Sequence, residues 1–600
     1  MSETTAGSDS PLAWGDDGQP RSRLFGDVYF STEDGLAESR AVFLAGCGLP
    51  EAWAGRRRFV VGELGFGTGL NILALLDLWR RTRPPGGRLH VFSVEAHPLS
   101  VEDAARAHAR WPELAEAAAL LRARWPGRTP GLHRVDLPEF GAILDLAVMD
   151  VTAALDGWLG EADAWFLDGF SPALNPQMWG EDVMARVAAR SRPGARAATF
   201  TVAGHVRRSL AAAGFAVEKR PGFGRKRERL EARLPGTGQD PTVRRVAIVG
   251  GGIAGAAAAR AVRALGAEAM LVEAERLGAG GSGNPAGLVT PRLDAGGGAP
   301  AQLFAQAFSR AVQVYEAEAA EAILSRGVLQ LASAERDAHR FARISSSGLF
   351  EPGWLEVLSP QAASARLGEA APAALDQPTA LVVSPAAVLA RWAGESVLAQ
   401  VTAVERHGDG WRLLAAGGEV LSADAVILAA ALGSAALAPG LPLAPVRGQA
   451  TWTRTGARVP AVAWGGYALP TADGILFGAT HDRGDAGVDV READHARNLA
   501  TLAGTLPGLA ARLEGRPLEG RASVRAVTAD RLPLAGAADG VEAGLFVLTG
   551  LGSRGLSWAP LLAEHVAALA LGAPSPLAAP LAELVDPARF RRRAERRGAS

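Results

Sequence analysis

The chain has 600 residues, with 62 Lys and Arg against 63 Asp and Glu for a formal net charge of −1. Its length exceeds what one hydrophobic core supports and implies roughly three to five domain-sized units. Near-neutrality excludes a global basic field that would bind nucleic acid or an acidic membrane indiscriminately, so any such binding must use a local patch. Hydrophobic residues at 48% and charged residues at 21% exclude long disorder as the dominant state. The single cysteine, Cys47, cannot form an intramolecular disulfide or a thiolate metal site, and no metal is expected. The first ten residues carry acids and hydroxyls where a signal peptide needs a basic start and an apolar core, which predicts a cytoplasmic protein. The longest uncharged run, Ala425 to Val446, is interrupted by glycine and proline. It reads as a buried strand, Ala425 to Ala430, followed by a loop, and no membrane span is expected.

Leu234 to Thr242 is rich in turn formers and lacks apolar periodicity, so it predicts a boundary. The expected division is a first domain over 1–235, a linker over 236–243 and a second domain over 244–600. On each side a strand runs into a glycine-rich turn and then a helical pattern, which opens a nucleotide-binding α/β domain.

In the first half, an apolar strand from Phe59 meets Gly65, Gly67 and Gly69, with Asn71 closing the motif and a helix expected over Ile72 to Trp79. Alternating glycines let the backbone approach a ligand closely. Glu63, just before the turn, would repel a pyrophosphate and suits a cationic sulfonium. Three further strands, Leu89–Val94, Leu144–Met149 and Ala164–Leu167, end near Glu95, Asp150 and Asp168. Glu95 suits ribose hydroxyls and Asp150 an adenine amino group, at the strand edge where open α/β sheets bind ligands. This order points to an S-adenosylmethionine-dependent methyltransferase. Asp168 either shapes its turn or orients or deprotonates the methyl acceptor.

Between Gly204 and Leu234 lie nine basic residues, among them Arg207, Arg208, Lys219, Arg225, Lys226 and Arg227, against three acids. Both lysines of the chain fall here, beside Phe215 and Phe223. The stretch is either a solvated face or a polyanion-binding patch that combines charge with aromatic rings.

The second half opens with strand Arg245–Val249 and a G-x-G-x-x-G turn at Gly250, Gly252 and Gly255, followed by a helix and a second strand ending at Glu273. That spacing of about twenty residues puts a pyrophosphate on the helix N-terminus and a ribose on the acid. Further contacts specify a flavin: Ser282, Gly283 and Asn284 within the 278–287 stretch, and Gly550, Gly552 and Gly555 opening a C-terminal helix. Val446–Trp452 and Gly474–Ala479 read as strands of a substrate domain. The fold class expected is α/β: a Rossmann-like methyltransferase domain followed by an FAD-binding Rossmann domain with an inserted α+β substrate domain.

Five stretches carry a resemblance: Asp27–Ser31, Gly62–Asn71, Asp163–Phe170, Gly222–Glu228 and Gly550–Leu556. On these the sequence resembles, over nearly its whole length, the MnmC family of bifunctional bacterial tRNA-modifying proteins. The resemblance implies that the second half, similar to glycine and sarcosine oxidases, uses FAD to remove the carboxymethyl group from 5-carboxymethylaminomethyluridine at the wobble position of tRNA. The first half would then use S-adenosylmethionine to methylate the primary amine produced. It nominates Arg525, with Arg554 as second choice, for the substrate carboxylate; a surface salt bridge is the other reading of Arg525. Two positions depart from the family pattern, His481 and Trp558, and both could alter access to the oxidase pocket. No obligatory protein partner is implied. The competing readings are an amino-acid oxidase fused to a small-molecule methyltransferase, and a noncatalytic RNA-binding scaffold.

Overall fold

The computed structural model describes residues 10–224, 226–240 and 242–598. The chain forms two compact units, Met1–Pro241 and Thr242–Ser600.

The first unit is built on one eight-stranded sheet. Its strands are β1 (Arg58–Leu64), β2 (Arg88–Val94), β3 (Gly131–Leu137), β4 (Ala142–Val148), β5 (Ala162–Leu167), β6 (Ser191–Thr199), β7 (Ala216–Pro221) and β8 (Glu228–Arg233). They lie in the order β3-β4-β2-β1-β5-β6-β8-β7, with β4, β2, β1, β5 and β6 parallel. Every residue of β1 is buried, as expected for a strand covered on both faces. Phe59 and Val61 enter one apolar cluster while Val60 and Leu64 enter the other, so the two-residue period of the strand builds two cores at once. Helix α1 (Leu70–Thr82) buries Leu70 to Leu76 and Trp79 in that first layer, and Arg80 and Arg81 in its last turn complement the helix dipole. The antiparallel strand β3 was not anticipated from the sequence, because Gly-Leu-His-Arg-Val-Asp-Leu lacks a long apolar run.

The second unit contains two larger sheets. The nucleotide-type sheet holds β9 (Arg245–Val249), β10 (Glu268–Glu273), β11 (Ser396–Leu398), β12 (Ala425–Leu428), β13 (Leu534–Ala537) and β14 (Leu545–Thr549) in the order β11-β10-β9-β12-β14-β13. All pairings are parallel except β13 with β14. Helix α2 (Ile253–Ala264) and helix α3 (Gly555–Leu571) pack against each other beside it; their alanines permit the close approach. Ten strands form the other large sheet, whose longest pairing joins β15 (Ala444–Arg454) and β16 (Glu519–Val527) over nine residue pairs. The chain passes between the two sheets repeatedly rather than finishing one first. Among the described residues no helix is long and apolar enough to cross a membrane.

Candidate active sites

In the first unit, β4, β2, β1 and β5 are neighbours, so their carboxyl ends bring the glycine turn, Glu95, Asp150 and Asp168 to one sheet edge. Gly65, Gly67 and Gly69 all have positive φ, at 95°, 50° and 76°. A Cβ at Gly65 would overlap the carbonyl oxygen of Asp168, so this glycine is required by backbone packing. Gly67 N–H donates to Glu95 Oε2 at 2.9 Å, and the N–H of His97 to Oε1 at 2.9 Å, which fixes the carboxylate over the turn. Glu63 is fully buried; Ser93 donates to its Oε2 at 2.5 Å, while Oε1 has no hydrogen-bond partner. Burial raises its pKa well above the carboxylate range. A buried acceptor without a donor fits the amino group of a cationic methyl donor.

Asp150 caps the helix Val151–Gly157, its Oδ1 accepting from Thr152 N–H at 2.8 Å and Ala153 N–H at 3.3 Å. Asn71, in the first turn of α1, donates to Asp168 Oδ2 at 2.7 Å. Burial pushes Asp168 up to about 7, against the pull of the Asn71 hydrogen bond; Glu38 raises it further and Lys226 lowers it. The basic stretch divides. Lys219 pairs with Glu228 at 2.7 Å in the β7–β8 hairpin. Lys226 is exposed but pairs with Glu38 Oε1 at 2.8 Å and lies 4.1 Å from the centroid of Phe200. Arg207, Arg208 and Arg227 are exposed, and Arg225 lies outside the described residues. Tyr29, within the Asp27–Ser31 stretch but given no site role from the sequence, has its ring 5.2 Å from that of Phe170 and would meet a Cβ at Gly67 at 3.2 Å.

In the second unit a cavity of about 680 Å³ is lined by Gly250, Gly252, Glu273, Ser282 and Asn284, while Gly255 lies behind the turn and is not on the cavity wall. Gly550, Gly552, Gly555, Arg525, Arg554 and His481 line it as well. Gly283 is not on its wall, and a Cβ there would meet the Arg521 guanidinium at 2.7 Å. Trp558 is not on it either: it is buried, edge-on to Phe304 at 5.4 Å, and so does not control access. A Cβ at Gly250 would stand 2.6 Å from the Ala429 carbonyl and one at Gly255 would overlap the Gly250 carbonyl, whereas one at Gly252 meets only Ser282 Oγ at 3.3 Å. The first and third glycines serve the turn and the middle one leaves room for a ligand. Ile253 N–H, at the start of α2, donates to Ser282 Oγ at 3.0 Å, and Glu273 accepts from Gly251 N–H. This cradle of backbone donors and a strand-end acid fits a dinucleotide.

Arg525 on β16 donates to the Thr480 carbonyl at 3.5 Å and has no carboxylate partner among the described residues. Burial lowers its pKa, and Tyr467 opposes that. Arg554 donates to Thr290 Oγ1 and the Pro291 carbonyl, both at 3.0 Å, and burial brings it down to about 10. Two guanidiniums satisfied by neutral oxygens thus face one cavity, a receptor for an anion. Arg521, which the sequence reading passed over, donates to the carbonyls of Gly278, Ala279 and Gly280 at 3.3, 2.5 and 2.6 Å, holding the loop that carries Ser282.

Residues 112–235 match the family described as S-adenosyl-L-methionine-dependent methyltransferase, and residues 245–569 the family described as FAD dependent oxidoreductase. The tRNA 5-methylaminomethyl-2-thiouridine biosynthesis bifunctional protein MnmC of Caulobacter vibrioides is 62% identical over 586 residues, 97% of this chain and 98% of that protein. The protein of the same name from Maricaulis maris is 44% identical over 595 residues, 98% of this chain and 97% of its own length. The glycine oxidase of Geobacillus kaustophilus is 24% identical, covering 56% of this chain and 98% of its own, with a TM-score of 0.49.

Proposed function

The chain belongs to the MnmC family of bifunctional tRNA-modifying proteins, and we propose on that premise that its two units act in sequence on the wobble uridine of tRNA. The second unit removes the carboxymethyl group from 5-carboxymethylaminomethyl-uridine or its 2-thio form, leaving a primary amine, and the first unit methylates that amine. FAD supplies the hydride acceptor for the first reaction and S-adenosylmethionine the methyl group for the second.

The observation that carries this reading is Arg525, a cation without a carboxylate partner in the wall of the dinucleotide cavity. A substrate carboxylate on that guanidinium puts the adjacent C–N bond inside the same cavity. Hydride loss from the carbon beside nitrogen gives an imine, and water then releases the two-carbon fragment as an aldehyde acid. Gly250, Gly252, Gly255, Glu273, Ser282, Asn284 and the Gly550–Gly555 turn would hold FAD, with Gly283 keeping room for Arg521.

In the first unit, Glu63, Gly65, Gly67, Gly69, Asn71, Glu95 and Asp150 would hold the methyl donor. Asp168 accepts the proton that the ammonium must shed before its nitrogen can attack, and a carboxyl poised near 7 suits that task. We assign tRNA contacts to Arg207, Arg208, Lys219, Arg225 and Arg227, with Lys226 engaged instead by Glu38, and the cytoplasm as the site of action.

Nucleoside analysis tests the reading. Incubating the purified flavoprotein with carboxymethylaminomethyl-tRNA should yield the aminomethyl nucleoside without S-adenosylmethionine and the methylaminomethyl nucleoside with it. Turnover of free glycine with no change in tRNA would instead favour an amino-acid oxidase.

A further inference from the structure

The rim of the oxidase cavity carries arginines that the reactions above leave without a task. The segment Thr290–Gly298 leaves the cavity wall and is held by guanidiniums. Arg554 holds Thr290 and Pro291, Arg340 donates to the Leu293 carbonyl, and Arg343 donates to that of Ala295 at 2.8 Å. Arg292, within the segment, donates to the Arg531 carbonyl at 3.3 Å and covers the Phe304 ring at 4.8 Å. Arg340 and Arg343 project from one side of the helix Glu335–Ser345, three residues apart, and both are exposed, as is Arg531.

Carbonyl oxygens orient the guanidiniums of Arg292, Arg340 and Arg343 without cancelling their charge. Of the nearby acids, Asp294 accepts from Gly296 N–H at 2.8 Å and Asp530 is bound by Arg589 and Arg593, while Asp337 caps its own helix through Oδ2 and meets Arg340 through Oδ1 at 3.9 Å. Among the described residues Arg292, Arg343 and Arg531 have no carboxylate within ion-pairing distance. Gly296, Gly297 and Gly298 are exposed and add no side chains to the rim, so a chain of phosphates can lie against it.

We propose that this rim, Arg292, Arg340, Arg343 and Arg531, is where the phosphodiester backbone of single-stranded RNA docks while its modified base enters the cavity. The inference rests on the oxidase reading above and extends it to a surface of the second unit separate from the basic stretch of the first. Fixed guanidiniums suit phosphate because the planar fork offers paired donors, and each contact releases counterions.

The test uses the FAD-loaded full chain with Arg340, Arg343 and Arg531 all replaced by alanine, none of which lines the cavity. The dependence of log Kd for tRNA on log salt should flatten by about two units, at roughly 0.7 per phosphate lost from a single strand. KM for tRNA oxidation should rise about tenfold or more, equivalent to about 1.4 kcal/mol, with kcat at saturation and flavin absorbance retained. Should the triple variant lose flavin, Arg340→Glu alone repeats the measurement on the exposed helix face. An unchanged slope and KM would overturn the proposal, as would a fall in kcat at unchanged KM. Because binding is measured without turnover, failure of the wild type to oxidise tRNA would strike the function reading and leave this one separately judged.

Discussion

Asn71 and Asp168 are 97 positions apart, yet the Asn71 amide holds Asp168 Oδ2 at 2.7 Å, joining the helix that follows the glycine turn to the end of β5. Placement of the turn and placement of the Asp168 carboxylate are therefore one structural event.

On the role proposed for Asp168, methyl transfer should rise with pH through about 7, because the ionised carboxylate would be the active form and burial raises its pKa. Asp168→Asn should lower kcat by about 10²–10⁴-fold, as expected for loss of a general base, with methyl-donor affinity retained. The folded state binds this proton more tightly than the unfolded chain. The Asp168 contribution to stability therefore falls as pH rises from about 4 to about 7, and Asp168→Asn removes that fall. Thermal melts at pH 5 and pH 8 check the sign.

Lys226→Ala should act on methylation rather than on salt dependence. Its ammonium lies between Glu38 and the Phe200 ring and stabilises the Asp168 carboxylate, so its loss should shift the methylation pH profile upward. Arg227→Ala, at an exposed position, should instead flatten the salt dependence of tRNA binding by roughly 0.7–0.9. Identical behaviour of the two variants would contradict this division.

Gly252→Val should give a folded, colourless protein, since space at Gly252 is open except for the Ser282 hydroxyl. Gly255→Ala should lower the melting temperature as well, because its Cβ overlaps backbone. Absorbance near the flavin bands together with calorimetry separates the two.

Gly67→Val should abolish methyl transfer while leaving the flavin bound and the primary amine accumulating on tRNA. Its positive φ and the Tyr29 ring both oppose a branched side chain, and the dinucleotide cavity is built by other residues.

Arg525→Ala should lower kcat/KM for the oxidative step by roughly 30-fold to several thousand-fold, the range for losing one partner of a buried charge pair at about 2–5 kcal/mol. Flavin content should remain at the wild-type level. Full activity in this variant would remove Arg525 from the carboxylate site.

The glycine turns and strand-end acids were legible because their chemistry is local: a strand, a turn and a helix within thirty residues leave a pattern in the sequence. The contacts of Arg521 and Tyr29 were not, because they come from residues more than thirty positions away, even though Tyr29 lies in the Asp27–Ser31 stretch. The Lys226–Glu38 pair was hidden for a related reason, since a run of basic residues gives no sign of which one meets Glu38. Trp558 looked like an obstruction because its sequence neighbours line the cavity, whereas the helical turn points its ring at Phe304.

Arg521 lies on β16, in the ten-stranded sheet, and grips three carbonyls of the loop that leaves β10 of the nucleotide-type sheet. The two layers of the second unit are consequently not exchangeable parts. A truncation that spared every glycine of the dinucleotide turn but removed residues 519–527 would leave the 278–283 loop without this clamp. An engineer seeking a minimal flavin-binding module from this chain would have to carry the ten-stranded sheet with it.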